Sequence, residues 1–129
     1  MNLNILIPIA PTTKKNSNQI IKAKGRYMII PSSAYKKYEK ECGKYLPKIE
    51  PIDQPCNVKC IYYMPTHRRV DLSNLLSCTL DVLVKYRVLA DDNANIVISM
   101  DGSRVDYDKD TPRTEIEITL INCPQETGE

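Results

Sequence analysis

Apolar residues along the chain recur with two periods, and together these predict an α+β fold. The stretch NLNILIPIAP alternates and then stops at Pro11, which is typical of a first strand. Two short apolar runs on either side of Lys24, Gly25 and Arg26 predict a β-hairpin with a basic tip. The segment CNVKCIYYMP predicts a further strand, and TEIEITLI, in which glutamate alternates with apolar residues, predicts a last, half-exposed strand.

Two other segments have the residue spacing of helices. The first follows Ser32 or Ser33, either of which can act as an N-cap, and its tyrosines and a cysteine recur at helical spacing (Tyr35, Tyr38, Cys42 and Tyr45). The second is an amphipathic segment that starts at Leu72, directly after Asp71 as the natural N-cap. The predicted order is strand, hairpin, helix, strand, helix, strand, strand. It describes one α+β domain over residues 1–129, with a single mixed sheet and two helices. The polar stretch SRVDYDKDTPR is expected to be a loop.

Composition points to an ordinary globular interior. The chain has eight tyrosines and no tryptophan or phenylalanine, so its core must consist mainly of isoleucine, leucine and valine. It contains no apolar run of the roughly 18 residues that span a bilayer and no signal-peptide pattern, and we therefore expect a cytoplasmic protein with no membrane partner. The cysteines are odd in number and irregularly spaced, which favours reduced, buried thiols over disulfides or a zinc site (Cys42, Cys56, Cys60, Cys78 and Cys123).

Charge is divided between the two parts of the chain. Residues 1–48 carry ten basic and two acidic side chains, a net charge of +8, whereas residues 49–129 carry eight basic and fourteen acidic side chains, a net charge of −6. The basic part suggests a polyanionic partner, and the clustered aspartates of the other part suggest a bound cation. The alternative is a solvated surface that carries charges of both signs.

Acidic and amide side chains flank the second predicted helix. Asp71 precedes it, Asn74 lies one turn into it on the same side, and the pair Asp91 and Asp92 follows its end. A role as N-cap, which stabilises a helix by about 1 kcal/mol, would by itself explain an aspartate at position 71. If carboxylates from the two segments converge, however, a cation or a proton must lie between them, and such oxygen ligands suit Mg²⁺.

Two arginines, Arg68 and Arg69, stand directly before Asp71. Guanidinium groups bind phosphate in a bidentate manner, so these side chains would hold a phosphate close to the metal. The combination is typical of phosphodiester cleavage, in which the metal polarises the phosphoryl group and helps to generate hydroxide from bound water.

The stretch RRVDLSNLLSCTLDVLVKYRVLADDNANIV resembles the core of the RusA family of Holliday-junction resolvases. That family has R-D-x-D-N at a helix start, a D-A/V-L helix, and L-x-D-D before a strand. The segments PTTKKNSNQII and PRTEIEI give weaker support by their placement. The resemblance implies a small homodimer, often encoded by a phage or prophage, that binds four-way DNA junctions and uses Mg²⁺ to nick opposing strands in pairs.

Carried over by position, the resemblance assigns metal binding to Asp71, Asp91 and Asp92 and includes Asn74 in the catalytic site. Two positions depart from the family pattern: Ser73 replaces the second aspartate of the helix-start motif, and Ser77 replaces a lysine of some members. The loss of one carboxylate should weaken metal binding, or shift a ligand role to Asp91 or to a water held by the Ser73 hydroxyl. Two alternatives therefore stay open: a junction-binding protein that cleaves poorly, and a nuclease for other branched DNA.

A set of basic and polar side chains is expected to contact the DNA backbone, which would give affinity without sequence information. A role in solubility alone is the alternative. The set comprises Lys14, Lys15, Asn16, Arg26, His67, Arg68 and Arg69.

Overall fold

The strands and helices follow the predicted order, with one strand added. A computed structural model describes residues 2–14, 18–31 and 33–121. In chain order, the elements are β1 (Asn2–Ile7), β2 (Asn18–Ala23), β3 (Arg26–Pro31), α1 (Ser33–Cys42), a 3₁₀ turn (Gly43–Tyr45), β4 (Cys56–Met64), α2 (Leu72–Lys85), β5 (Val97–Ser99), β6 (Arg104–Tyr107) and β7 (Arg113–Leu120). Ser32, one of the two predicted N-caps, lies outside the described residues.

The main sheet has five strands and is mixed. Strand β7 lies between β1 and β4 and is antiparallel to both, while β5 and β6 pair in parallel with the beginning and the end of β4. Ile116 and Ile118 of β7 are buried, and Glu115 and Glu117 alternate with them on the more exposed face. The α+β fold with a mixed sheet and two helices is thus confirmed.

The hairpin is present but does not join that sheet. Strands β2 and β3 pair with each other in a separate two-stranded sheet, so the prediction of one single sheet was wrong. Lys24 (φ 53°) and Gly25 (φ 76°) form the two-residue turn, and positive φ at both positions defines a type I′ turn. Local sequence specifies this turn chemistry, but it carries no information about which other strands lie alongside.

Strand β6 lies inside the polar stretch that was expected to be a loop, and this prediction was also wrong. Residues Arg104–Tyr107 pair in parallel with Ile61–Met64 at the edge of the sheet. Three of these four residues are polar or amphipathic, so the strand has no clear apolar alternation. Its pairing is imposed by β4, which illustrates how tertiary context overrides local propensity.

The core lies between the helices and one face of the main sheet. Cys42, Cys56, Cys60 and Cys78 are buried free thiols, as predicted, while Cys123 lies outside the described residues. Burial raises the pKa of Cys60 to about 12, so its thiol stays protonated at neutral pH. None of the helices in the described ranges has the length and hydropathy needed to cross a membrane.

Candidate active site

Helix α2 runs back along β4 and places Asp71 at one end of the sheet. The buried Tyr62, near the end of β4, donates its hydroxyl to the carbonyl of Leu75 at 3.0 Å. Leu75 in turn donates its backbone N–H to the carbonyl of Asp71 at 3.2 Å, which closes the first helical turn. Asp71 therefore lies near the end of β4.

The carboxylate of Asp71 does not cap the helix, although its residue occupies the N-cap position. Its side chain makes no capping hydrogen bond and is exposed to solvent. The side-chain amide of Asn74 donates a hydrogen bond to Asp71 Oδ2 at 3.3 Å and so restricts the orientation of the carboxylate. An anion at a helix N-terminus is stabilised by the helix dipole, but here the carboxylate oxygens remain accessible for another ligand.

A cleft beside Asp71 carries two of the predicted DNA-binding arginines. It has a volume of about 360 Å³ and lies between the loop after β1 and the loop between β4 and α2. Its lining, which we call the basic cleft, consists of Pro11, Thr12, Thr13, Met64, Pro65, Thr66, Arg68, Arg69 and Val70. Both arginines are exposed, and neither forms an ion pair with any of the described residues, which leaves their guanidinium groups available to phosphate.

Lys14 fastens the loop after β1 to α2. Its backbone N–H donates to Cys78 Sγ at 3.4 Å, and its ammonium group forms an ion pair with Asp81 at 3.2 Å. The same ammonium lies 5.7 Å from the centroid of the Tyr35 ring. Part of the charge of Lys14 is thus compensated within the chain by the Asp81 carboxylate.

Asp91 and Asp92 follow the opposite end of α2. The backbone N–H groups of Val88 and Leu89 bond to the carbonyl of Leu83, and that of Ala90 bonds to Ile52, which precedes β4. A helix of 14 residues is about 21 Å long. The aspartate pair accordingly lies near the beginning of β4, whereas Asp71 lies near its end.

The Asp91 carboxylate is held within its own turn. It accepts hydrogen bonds from the backbone N–H of Asp92 at 2.8 Å and from the Asn93 side chain at 3.1 Å. These bonds, the first being the larger contribution, lower the pKa of Asp91. Asp92 is exposed as well.

The predicted convergence of the three carboxylates is not found within one chain. Among residues 2–14, 18–31 and 33–121, no group of three or more histidine, cysteine, aspartate or glutamate side chains could hold a metal ion together. The donor chemistry at Asp71 nevertheless suits Mg²⁺, which takes one or two carboxylates and completes its shell with water and phosphate oxygens. The ligand roles of Asp71, Asp91 and Asp92 remain predictions.

A comparison with protein-family models matches residues 8–119 to endodeoxyribonuclease RusA. The chain belongs to the RusA family. A comparison with curated proteins gave no match. Membership supports an endodeoxyribonuclease of the type that resolves Holliday junctions, and nucleases of the RusA family act on branched DNA and are in general metal-dependent.

The remaining predicted site residues of this RusA-family chain are dispersed. Ser73 and Ser77 are exposed on α2, and Arg26 is exposed at the tip of the hairpin. Lys15 and Asn16 lie outside the described residues. Among the described candidates, the structure thus brings His67, Arg68, Arg69, Asp71, Ser73 and Asn74 to one end of α2, while Asp91 and Asp92 follow its opposite end.

Sequence reasoning missed an aromatic pair at the same end of the RusA-family chain. The rings of His67 and Tyr107 stack with 3.7 Å between their centroids and 30° between their planes. Tyr107 belongs to β6, the strand that was expected to be a loop, so no pattern in the sequence connected it with His67. The only available signal was an aromatic residue in an otherwise polar stretch.

Proposed function

We propose that this chain resolves four-way DNA junctions by Mg²⁺-dependent, paired nicking of opposing strands, and that it acts as a homodimer. The observation that carries the proposal is the Asp71 carboxylate, which is accessible at the amino end of α2 beside a cleft that presents Arg68 and Arg69. A metal ligand and phosphate-binding groups thereby occur together, as phosphodiester hydrolysis requires.

Each residue of this end has a distinct task in the proposed reaction. Arg68 and Arg69 bind the oxygens of the phosphate, and Arg26, Lys14, Lys15 and Asn16 contact the backbone further along the arms. Asn74 fixes the orientation of Asp71 through the 3.3 Å hydrogen bond. When bound, Mg²⁺ supplies Lewis-acid activation of the phosphate and lowers the pKa of a bound water.

The separation of the carboxylates supports the proposal of a homodimer. Since Asp71 and the Asp91–Asp92 pair lie at opposite ends of α2, a site that uses both must take them from two copies of the chain. A four-way junction has two-fold symmetry, and so does a dimer in which the same surface serves both copies. Ser73, two residues after Asp71, would contribute to metal binding through a water molecule held by its hydroxyl.

Replacement of Asp71 by asparagine tests the site. We expect Asp71→Asn to abolish nicking of a synthetic four-way junction and to weaken Mn²⁺ binding in calorimetry, with junction affinity in EDTA unchanged because the arginines are intact. Asp53→Asn is the matched control, since Asp53 is an exposed carboxylate in the loop before β4 and should leave all three readouts as they are. Retained nicking by Asp71→Asn would refute the assignment.

Subunit mixing tests whether one site draws on two copies. Asp71→Asn and Asp92→Asn should each be inactive alone, but a heterodimer obtained by co-expression has one site with both native aspartates. We expect that heterodimer to nick one strand of the junction. If both ligands came from the same chain, each site would lack one aspartate and the mixture would stay inactive, which would overturn the shared arrangement.

A second candidate function is supported by the exposed hydroxyls of Ser73 and Ser77 at positions where the family has charged side chains. A chain with this site could bind junctions and cleave them poorly. Junction binding without nicks at any Mg²⁺ concentration would favour this function. The same assay with flap and replication-fork substrates distinguishes a junction resolvase from a nuclease for other branched DNA.

A further inference from the structure

The His67–Tyr107 pair is an exposed aromatic surface that the core does not require. His67 is exposed, and 43% of the Tyr107 surface is accessible even though the two rings are stacked at 3.7 Å. Tyr35 and Tyr38 of α1 are different, because Tyr35 is buried and Tyr38 is partly buried against the core. The pair therefore offers an aromatic face to whatever occupies the neighbouring cleft.

Strand register places the pair on the same side of the sheet as the basic cleft. Tyr62 of β4 points towards α2, where its hydroxyl meets Leu75, and Met64 lies two residues further along and therefore on the same face. Tyr107 is the parallel partner of Met64, which itself lines the cleft. His67 is also in the loop that contributes Arg68 and Arg69 to that cleft.

The backbone and side chains next to Tyr107 are held in place by hydrogen bonds and a cation–π contact. The backbone N–H of Asp108, which follows Tyr107, donates to the carbonyl of Met64 at 2.9 Å. The Asp108 carboxylate accepts a hydrogen bond from Arg113 Nη1 at 2.8 Å, and the Arg113 guanidinium packs on the ring of Tyr63 at 3.8 Å. An aromatic surface on such a support keeps its position when a ligand arrives, which is what a recognition element needs.

We infer that the His67–Tyr107 pair is a stacking platform for a nucleobase exposed at the branch point of the DNA junction. This inference rests on the proposed function, because it assigns a further contact to the same substrate. Base pairs inside a linear duplex are stacked on both faces, whereas pairs at a branch point can lose one neighbour. Aromatic side chains bind such a free base face whatever its sequence. Arg68 and Arg69 hold the backbone in both kinds of DNA, and the platform then selects branched DNA over linear duplex.

Removal of the tyrosine ring tests the platform. In EDTA, where cleavage cannot occur, we expect Tyr107→Leu to weaken binding of a synthetic four-way junction roughly 5- to 150-fold, the range for loss of one base–aromatic stack. Affinity for linear duplex should not change, and Tyr107→Phe should bind the junction like the native protein. Tyr45→Leu is the matched control. Tyr45 is 42% exposed like Tyr107, but Gly43, two residues before it, packs near Tyr86 at the end of α2 opposite to the basic cleft.

Salt dependence separates stacking from phosphate contact. Loss of a stack leaves the slope of log affinity against log salt concentration unchanged, whereas Arg69→Ala, which removes a phosphate contact, should reduce that slope by about 1. A junction that carries 5-iodouracil at the branch point should also cross-link to Tyr107 or His67 under ultraviolet light. The same label in the middle of an arm should not cross-link to either residue.

Each possible result of these experiments supports or contradicts the platform. Equal weakening of junction and duplex binding by Tyr107→Leu, or a reduced salt slope for that variant, would identify a backbone contact and overturn the platform. Unchanged junction affinity with a native thermal transition would overturn it as well. Failure of the native protein to bind or nick any junction would instead overturn the proposed function, so the two failures are distinguishable.

Discussion

The hydroxyl of Tyr62 is the most informative single group to remove from the interior. Tyr62 is 1% exposed, and its hydroxyl bonds to the Leu75 carbonyl at 3.0 Å and to Thr79 Oγ1 at 2.7 Å. These bonds join the end of β4 to the first half of α2, the half that begins at Asp71. Tyr62→Phe deletes them and leaves the ring in place.

The expected cost can be worked from these contacts. Each bond contributes about 1 kcal/mol net, and the buried Thr79 hydroxyl loses its partner, so we expect the free energy of unfolding to fall by about 2 kcal/mol. For a chain of 129 residues the entropy of unfolding is about 0.27 kcal/mol/K. The midpoint of thermal unfolding should therefore decrease by about 7 °C.

A double-mutant cycle provides the assay. Urea unfolding, followed by circular dichroism, should give a smaller loss for Tyr62→Phe combined with Thr79→Val than the two single losses predict together. The reason is that replacing both partners with apolar groups leaves no buried hydroxyl unpaired. A loss below about 0.5 kcal/mol for Tyr62→Phe, or additive effects in the double variant, would show that these bonds do not hold α2 to the sheet.

Two further predictions concern stability alone. Arg87 has φ 62° directly after α2, a left-handed conformation that costs roughly 1 kcal/mol for residues other than glycine, so Arg87→Gly should raise the urea midpoint while Arg87→Ala should not. Burial raises the pKa of Cys60 to about 12 and the pKa of Tyr62 well above its usual value, so the unfolded chain loses these protons first as pH rises. Stability should then decrease above about pH 9, by up to about 1.4 kcal/mol per pH unit for each group, and a flat profile in urea titrations up to about pH 11 would contradict this.

Most of the fold was predictable because its signals are local. The alternation of Glu115 and Glu117 with Ile116 and Ile118 specified a strand with one buried face, and the position of Asp71 before an amphipathic segment specified a helix start. Periodicity reports which face of an element is buried, and it does so without reference to partners. Arg68 and Arg69, two residues of the basic cleft, were identified as candidates by another local feature, their position directly before Asp71.

The two errors in the fold have one physical origin, since both concern strand pairing at a distance. Strand β6 has little apolar alternation and exists because the edge of β4 accepts it, and the hairpin strands remain apart from the main sheet although their own pairing is strong. Pairing partners are decided by tertiary packing, which the period of a segment does not encode. The stacking of His67 on Tyr107 was invisible for the same reason.

The separation of the carboxylates, by contrast, follows from the helix that the sequence itself predicts. A helix of 14 residues puts about 21 Å between its ends, and the chain after it is held at the carboxyl end by bonds to Leu83 and Ile52. Proximity in a family motif therefore does not imply proximity in one chain. Under the proposed function, a metal site that used both Asp71 and Asp92 would therefore draw them from two copies of the chain.

Most of the candidate functional residues lie at one end of the main sheet, where several loops meet. The loop after β1, the loop between β4 and α2, and the turn between β6 and β7 all lie beside the end of β4, as the cleft lining and the bond from Asp108 to Met64 show. These loops supply the arginines, Asp71 and His67, the end of β6 supplies Tyr107, and β4 and β7 form the sheet beneath them. One end of the main sheet thus presents two arginines whose chemistry suits a phosphate, a carboxylate that suits a cation, and an aromatic pair that suits the face of a base.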